Sequence, residues 1–144
     1  MPHPIPYLSF DGNCEQAMRF YESALGGKVE VLLKNADSPM KDQTPKEHLN
    51  RIMHARLALP GGGMIYAGDC PPQMKYSGIH GVSLTLNFDT VAKATAAFDA
   101  LAKAGTVTMA LQPMFWSKIF GMVTDKFGTP WIVNGELQDV YAKG

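Results

Sequence analysis

The chain has 144 residues, 46% apolar and 18% charged, and its 13 basic and 13 acidic residues leave a formal net charge of zero. That length and apolar share support one compact domain with a sizeable core. The absence of a basic run removes the electrostatic footing for nucleic acid, no apolar stretch is long enough to span a membrane, and MPHPIPYL lacks the basic segment and apolar core of a signal peptide.

In chain order, Tyr7–Phe10 predicts a strand, with Leu8 and Phe10 on one face and Tyr7 and Ser9 on the other. A helix is expected over Cys14–Leu25, with Asn13 as its cap, Ala17, Phe20, Tyr21 and Ala24 facing inward, and Gly26-Gly27 as its stop. Strands follow at Lys28–Lys34, Ile52–Leu59 and Met64–Gly68. The last two are joined by Pro60-Gly61-Gly62-Gly63, a hairpin signal. The polar loop NADSPMKDQTPKEHLNR separates the first two and carries one helical turn near Lys46–Leu49.

A second alternating strand sets Val82, Leu84 and Leu86 against Ser83, Thr85 and Asn87. The next helix is expected over Thr90–Ala104, with Val91, Ala94, Phe98, Leu101 and Ala102 inward and Gly105 as its stop. Strands at Val107–Gln112, Phe120–Thr124 and Pro130–Gly135 complete the series, with a turn at Lys126–Gly128. The order repeats itself. A shift of 78 residues superposes Leu8 on Leu86, Phe10 on Phe88, Asp11 on Asp89, Phe20 on Phe98, Ala24 on Ala102, Gly27 on Gly105, Val29 on Val107 and Leu33 on Leu111, without a gap. The expected fold is therefore α+β, a single domain over 1–144 built of two βαβββ modules at about 4–70 and 80–136. Their curved sheets, eight strands in all, would close incompletely around a cleft.

Several residues carry candidate chemistry. FWSKIFGMVTDKFGTPWIVNGE, Phe115 to Glu136, gathers both tryptophans of the chain. Phe120, Phe127 and Ile132 are expected in the core or closing the turn. Trp116, in a link before a strand, suits a pocket wall or a subunit seam. Met40, Met74, Met109, Met114 and Met122 add soft side chains that fill a core or line an adaptable pocket. His54 and Asp69 each lie about six residues from the hairpin turn, which predicts cross-strand neighbours. A His–Asp hydrogen bond pinning the hairpin competes there with a ligand-binding role. Arg56 shares the His54 face, as an anion-binding group or as an exposed edge charge. His3 and His48 read as solvated. Cys14 and Cys70 form no C-x-x-C pair, so they read as buried fillers in a reducing, cytoplasmic setting.

Three stretches carry a resemblance. PYLSFDGNCEQAMRFYESALGG (Pro6–Gly27), HARLALPGGGMIYAGD (His54–Asp69) and FWSKIFGMVTDKFGTPWIVN (Phe115–Asn134) resemble the PhnB-like branch of the vicinal oxygen chelate superfamily, which includes glyoxalase I, extradiol dioxygenases and bleomycin-binding proteins. Members are often labelled as 3-demethylubiquinone methyltransferases, but this chain has no glycine-rich turn after a first parallel strand to hold S-adenosylmethionine. The resemblance implies the two-module fold, a homodimer, a small-molecule ligand and, in most of the superfamily, a divalent ion held by first-strand and last-strand residues of both modules.

Those positions bring Pro6 and Tyr7, Gly81 to Ser83, Tyr66 to Asp69, and Ile132, so no metal and no other cofactor is expected. If an ion is bound, His54, Asp69, His80 and Glu136 are the residues to hold it. The first reading is thus a small-molecule-binding protein with Tyr7, His54, Arg56, Asp69 and Trp116 around its ligand. The alternatives are a metal-dependent lyase, isomerase or dioxygenase-like enzyme with a non-standard ligand set, and a dimer that binds nothing. Neither a nucleic acid nor a membrane is expected as partner.

Overall fold

The structure is a computed structural model, described over residues 2–71 and 73–139. The chain divides into two compact units, Met1–Gly78 and Ile79–Gly144. The first holds β1 (Tyr7–Phe10), α1 (Cys14–Leu25), β2 (Lys28–Lys34), β3 (Ile52–Ala58) and β4 (Met64–Asp69). The second holds β5 (Leu84–Phe88), α2 (Val91–Ala102), β6 (Thr106–Met114), β7 (Ser117–Thr124) and β8 (Pro130–Leu137). Each unit is the expected βαβββ.

Each unit makes its own four-stranded mixed sheet, and neither sheet closes into a barrel. The orders are β1-β4-β3-β2 and β5-β8-β7-β6. The first strand runs parallel to the last, Tyr7 beside Tyr66 and Leu84 beside Trp131, and the remaining pairs are antiparallel. One helix covers one face of each sheet. Under α1 lie Leu8, Phe10, Ala55, Leu57, Ile65 and Ala67, against Cys14, Ala17, Met18 and Tyr21. Under α2 lie Val123, Trp131 and Val133, against Ala94, Ala97, Phe98 and Leu101. Large side chains such as Phe10, Met18, Tyr21 and Trp131 are almost wholly excluded from water, and each stabilises its unit by about 2–3 kcal/mol.

The repeat glycines Gly27 and Gly105 occupy matching places. A Cβ on Gly27 would lie 2.6 Å from the carbonyl oxygen of Ala58, and one on Gly105 would lie 2.5 Å from that of Thr124. Each immediately precedes the strand after the helix, where the neighbouring strand's last carbonyl crosses the chain. Gly105 does not end α2 as expected. Ala104 takes the left-handed turn, at φ 57°, and Gly105 is there for clearance. The C-cap of α1 is the expected one, with Gly26 at φ 70°.

Three expectations about local structure change. The polar loop holds three short 3-10 turns, at Asn35–Asp37, Lys41–Gln43 and Lys46–His48, instead of one. β6 and β7 are longer than alternation predicts and meet at a tight Phe115-Trp116 turn. Ser117 extends β7, its single hydroxyl hydrogen shared between the carbonyls of Ile119 (2.7 Å) and Gly135 (3.0 Å). Pro113 sits within β6 because β6 is an edge strand, where a missing N–H costs no ladder bond. Finally, Val82 precedes β5 and is exposed.

Candidate functional site

The first sheet's other face, away from α1, carries Tyr7, His54, Arg56 and Tyr66. Register brings them together: Tyr7 pairs with Tyr66 across β1 and β4, and Arg56 pairs with Tyr66 across β3 and β4. His54 lies two residues before Arg56 on the same strand, so it points the same way. Its ring stacks on Tyr7 (centroids 5.7 Å apart, planes at 26°) and meets the Tyr66 ring edge-on at 5.2 Å. The Arg56 guanidinium lies 5.1 Å from the Tyr66 ring centroid.

The hydrogen bonds fix the protons. Arg56 Nε–H donates to His54 Nε2 at 3.0 Å. A guanidinium has no acceptor, so Nε2 carries no proton and the neutral imidazole holds its hydrogen on Nδ1. Nδ1 lies 3.4 Å from the Tyr7 hydroxyl, which donates in turn to the Met53 carbonyl at 3.4 Å. Burial holds the His54 pKa below its usual value, and the Arg56 charge pushes the same way. Burial, with a smaller push from Cys14, raises the Tyr7 phenol and keeps it a donor. Two backbone features make room. Met53 is an extra residue in β3, since Leu33 pairs with His54 and the next residue of β2, Lys34, pairs with Ile52. Gly68 lets the Tyr7 hydroxyl approach, because a Cβ there would lie 2.9 Å from that oxygen and from the Met53 carbonyl.

Asp69 is not part of this cluster. It lies two residues beyond Ala67, where the β3–β4 pairing ends. Its Oδ1 accepts the N–H groups of Gly12 (2.8 Å) and Cys14 (3.0 Å), and its Oδ2 accepts that of Ile52 (2.8 Å). The carboxylate thus serves the N-terminus of α1, where Asn13 was expected to, and Asn13 makes no side-chain cap bond. Glu136 does likewise in the second unit. Its Oε2 accepts the N–H of Val91, the first residue of α2 (3.0 Å), and its Oε1 pairs with Lys118 Nζ (2.8 Å). The Lys118 bond and the Val91 N–H hold its carboxyl below the usual range. Its φ of 59° swings the side chain back to the helix.

Trp116 lies on the second sheet's open face. Its Nε1–H donates to Asn134 Oδ1 at 3.2 Å, and Asn134 Nδ2 donates to Asn87 Oδ1 at 2.9 Å. Its ring packs edge-on against Phe120 at 5.1 Å. Phe120 and Ile132 therefore belong to this face and not to the core under α2, a placement the Phe120–Asn134 and Met122–Ile132 pairs require. Trp131 has the opposite role, buried under α2 with Nε1 donating to Asp125 Oδ2 at 2.8 Å. The residues sequence reasoning missed are Tyr66, Asn87 and Asn134. Their signal was parity: each alternates with core positions on a strand already recognised.

The metal alternative has a clear geometric reading. Among the described residues, no group of three or more His, Cys, Asp or Glu side chains is arranged to hold an ion. Asp69 and Glu136 are occupied by helix N–H groups, and His80 is an exposed residue before β5. The open-face pairs of the first and last strands are Tyr7–Tyr66 and Ser9–Gly68 in one sheet and Thr85–Ile132 and Asn87–Asn134 in the other, the last two amides already bonded to each other. Phenols, hydroxyls, an alkyl group and two mutually bonded amides, with no carboxylate or imidazole among them, do not fit a divalent ion.

Two open sheets, each of βαβββ order with a helix on one face and the other face uncovered by it, define a glyoxalase-type fold. The chain belongs to the Glyoxalase/Bleomycin resistance protein/Dioxygenase superfamily, whose model matches residues 5–133. It is 35% identical over 137 residues to protein YjdN of Escherichia coli (strain K12), covering 90% of this chain and 92% of that one. Its fold matches the crystal structure of protein PA1353 from Pseudomonas aeruginosa with a TM-score of 0.86 at 43% identity, over 94% of this chain and 98% of the other. It also matches a Bacillus cereus structure described as a putative 3-demethylubiquinone-9 3-methyltransferase, PhnB protein, with a TM-score of 0.75 at 23% identity, over 93% and 99% of the two chains.

Proposed function

We propose that this protein binds a small anionic molecule with a planar or apolar body on the Tyr7–His54–Arg56–Tyr66 face, without the divalent ion usual in its superfamily. One observation carries the reading. The Arg56 guanidinium is steered by a neutral imidazole and an aromatic ring, and it makes no ion pair among the described residues. An arginine held by neutral partners keeps its charge and its outer N–H groups for a carboxylate or phosphate. The flanking phenol rings supply the stacking surface. Two buried free cysteines, Cys14 and Cys70, suit a reducing cytoplasm, and a homodimer is the assembly this reading adopts.

Titration with benzoate, followed by the His54 ring signals in NMR, tests the binding site. The expected result is saturable binding that Arg56→Gln weakens by about tenfold or more. Binding unchanged in that variant overturns the assignment. Elemental analysis of untagged protein purified without chelator tests the metal-free part. Near-stoichiometric manganese, iron, nickel or zinc overturns it in favour of a metal-dependent lyase or isomerase.

A further inference from the structure

The first unit also contains an open-sided cavity of about 590 Å³, whose lining includes none of Tyr7, His54, Arg56 and Tyr66 and touches that cluster only through Met53. That volume falls within the range of small-molecule sites. It lies where the β2–β3 loop arches over the ends of β3 and β4. Its wall includes Asn35, Met40, Gln43, Thr44, Met53 and Gln73, together with Asp69.

The loop is firmly held. Asn35 and Ala36 donate backbone N–H bonds to the carbonyls of Arg51 (3.0 Å) and Leu49 (2.9 Å), and Asn35 Nδ2 donates to His48 O at 3.0 Å. Thr44 Oγ1 donates to Met40 O at 2.8 Å. Arg51 ties the loop's end to Asp11 and to His48 Nδ1. The cavity is therefore formed before any ligand arrives, which spares the cost of ordering it.

We infer that this cavity is a second binding site, for an uncharged molecule that pairs a carboxamide or hydroxyl group with an apolar flank. The wall chemistry selects this class. Its polar groups are three carboxamides and a hydroxyl, all of which donate or accept without charge. The side-chain amides of Gln43 and Gln73 have no hydrogen-bond partner among the described residues, so they are available to a ligand. The one charge, on Asp69, already faces three backbone N–H groups. An anion would find no counter-charge there and would face the Asp69 carboxylate, while a cation would have to share a carboxylate already bound by three N–H groups. Met40 and Met53 remain 48% and 37% exposed, large apolar side chains left open to water beside the cavity they line. Thioether side chains of that kind adapt to an apolar flank.

The site does not depend on the anion-binding reading, and a matched probe set separates the two. Protein carrying 13C-methyl methionine is titrated with benzamide, benzylammonium and benzoate, with Met40→Leu and Met53→Leu assigning the two methyl signals. Benzamide is expected to move both signals along one saturable curve, with the two ions weaker by about tenfold or more. Gln43→Ala is expected to weaken benzamide severalfold while leaving the melting temperature unchanged. The inference is overturned if neither methyl responds to benzamide up to its solubility limit, or if either ion moves the Met40 methyl, which is remote in sequence from His54, at equal or lower concentration. Failure here leaves the His54 response to benzoate untouched, and the reverse also holds.

Discussion

Asp69 and Glu136 hold the two helices by one device, each reaching from the end of its unit's last strand to the backbone N–H groups that open its unit's helix. Asp69 stands beside Phe10 in register, and Glu136 lies one residue beyond Gly135, the partner of Phe88. A left-handed backbone at Glu136 makes up that one-residue difference. A negative group at a helix N-terminus gains from both the open N–H groups and the helix dipole.

Asp69→Ala should therefore behave as a structural lesion. It strips three N–H groups of their acceptor, and a loss of about 2–4 kcal/mol in unfolding free energy is expected. Urea denaturation measures it. A loss below about 0.5 kcal/mol, within the range of ordinary surface changes, would show that the carboxylate is dispensable.

Glu136 gives a pH signature. Its folded pKa is depressed, so its contribution is complete above the unfolded carboxyl pKa and is lost as pH falls through the folded value. Glu136→Gln should flatten the acid limb of a stability–pH profile and leave the neutral plateau close to its own maximum. An acid limb of unchanged slope in the variant would refute the linkage.

His54 acts in a higher window. Its folded pKa is also depressed, so the unfolded chain binds more protons between the folded value and the ordinary histidine value. Stability should thus fall as pH drops through that window. Protonation also ends the Arg56–His54 bond, since Nε2 can no longer accept. In an NMR titration, Arg56→Gln should move the His54 midpoint upward. A midpoint that stays put or falls contradicts the arrangement.

The two tryptophans should separate in a quenching experiment. Trp131 is 1% exposed, whereas Trp116 is half-buried on an open face. In Trp131→Phe protein, iodide should quench the remaining fluorescence readily. In Trp116→Phe protein it should barely do so, and equal quenching would show that the faces are assigned wrongly.

Gly27→Ala and Gly105→Ala should both destabilise, by about 1–3 kcal/mol each, because the new methyl meets a backbone carbonyl that cannot move aside. Thermal melts of the two variants provide the check. Similar losses would confirm that the repeat preserves a steric requirement, and a neutral result at either site would deny it.

Much of the scaffold was legible because it is written in short-range patterns. The bounds of α1 follow from Cys14 to Leu25 and the glycines after them, and the faces of β1 from four alternating residues. Tyr7, His54 and Arg56 were recognisable as companions because parity on a strand survives any error in its ends. Asp69 was misplaced for a physical reason. Its partners Gly12 and Cys14 lie 57 and 55 residues away, while Asn13 stands next to the helix and looks like a sufficient cap. The extra residue at Met53 and the Trp116–Asn134–Asn87 chain share that difficulty, since both depend on pairing register, which local sequence does not encode. The signal available for the carboxylates was that the last strand of each copy runs out into an acid.

The parallel pairing of each unit's outer strands, Tyr7 with Tyr66 and Leu84 with Trp131, reaches beyond local architecture. A chain emerging from the ribosome cannot finish its first sheet until β4 has been made, because β4 lies between β1 and β3. One of the two inner strands arrives last in synthesis, and so does the acid that fastens the helix. Until then β1 has no neighbour and the N-terminus of α1 has no cap. The same order repeats in the second half, so the nascent protein passes twice through a state in which a helix and an unpaired strand wait for a strand not yet translated.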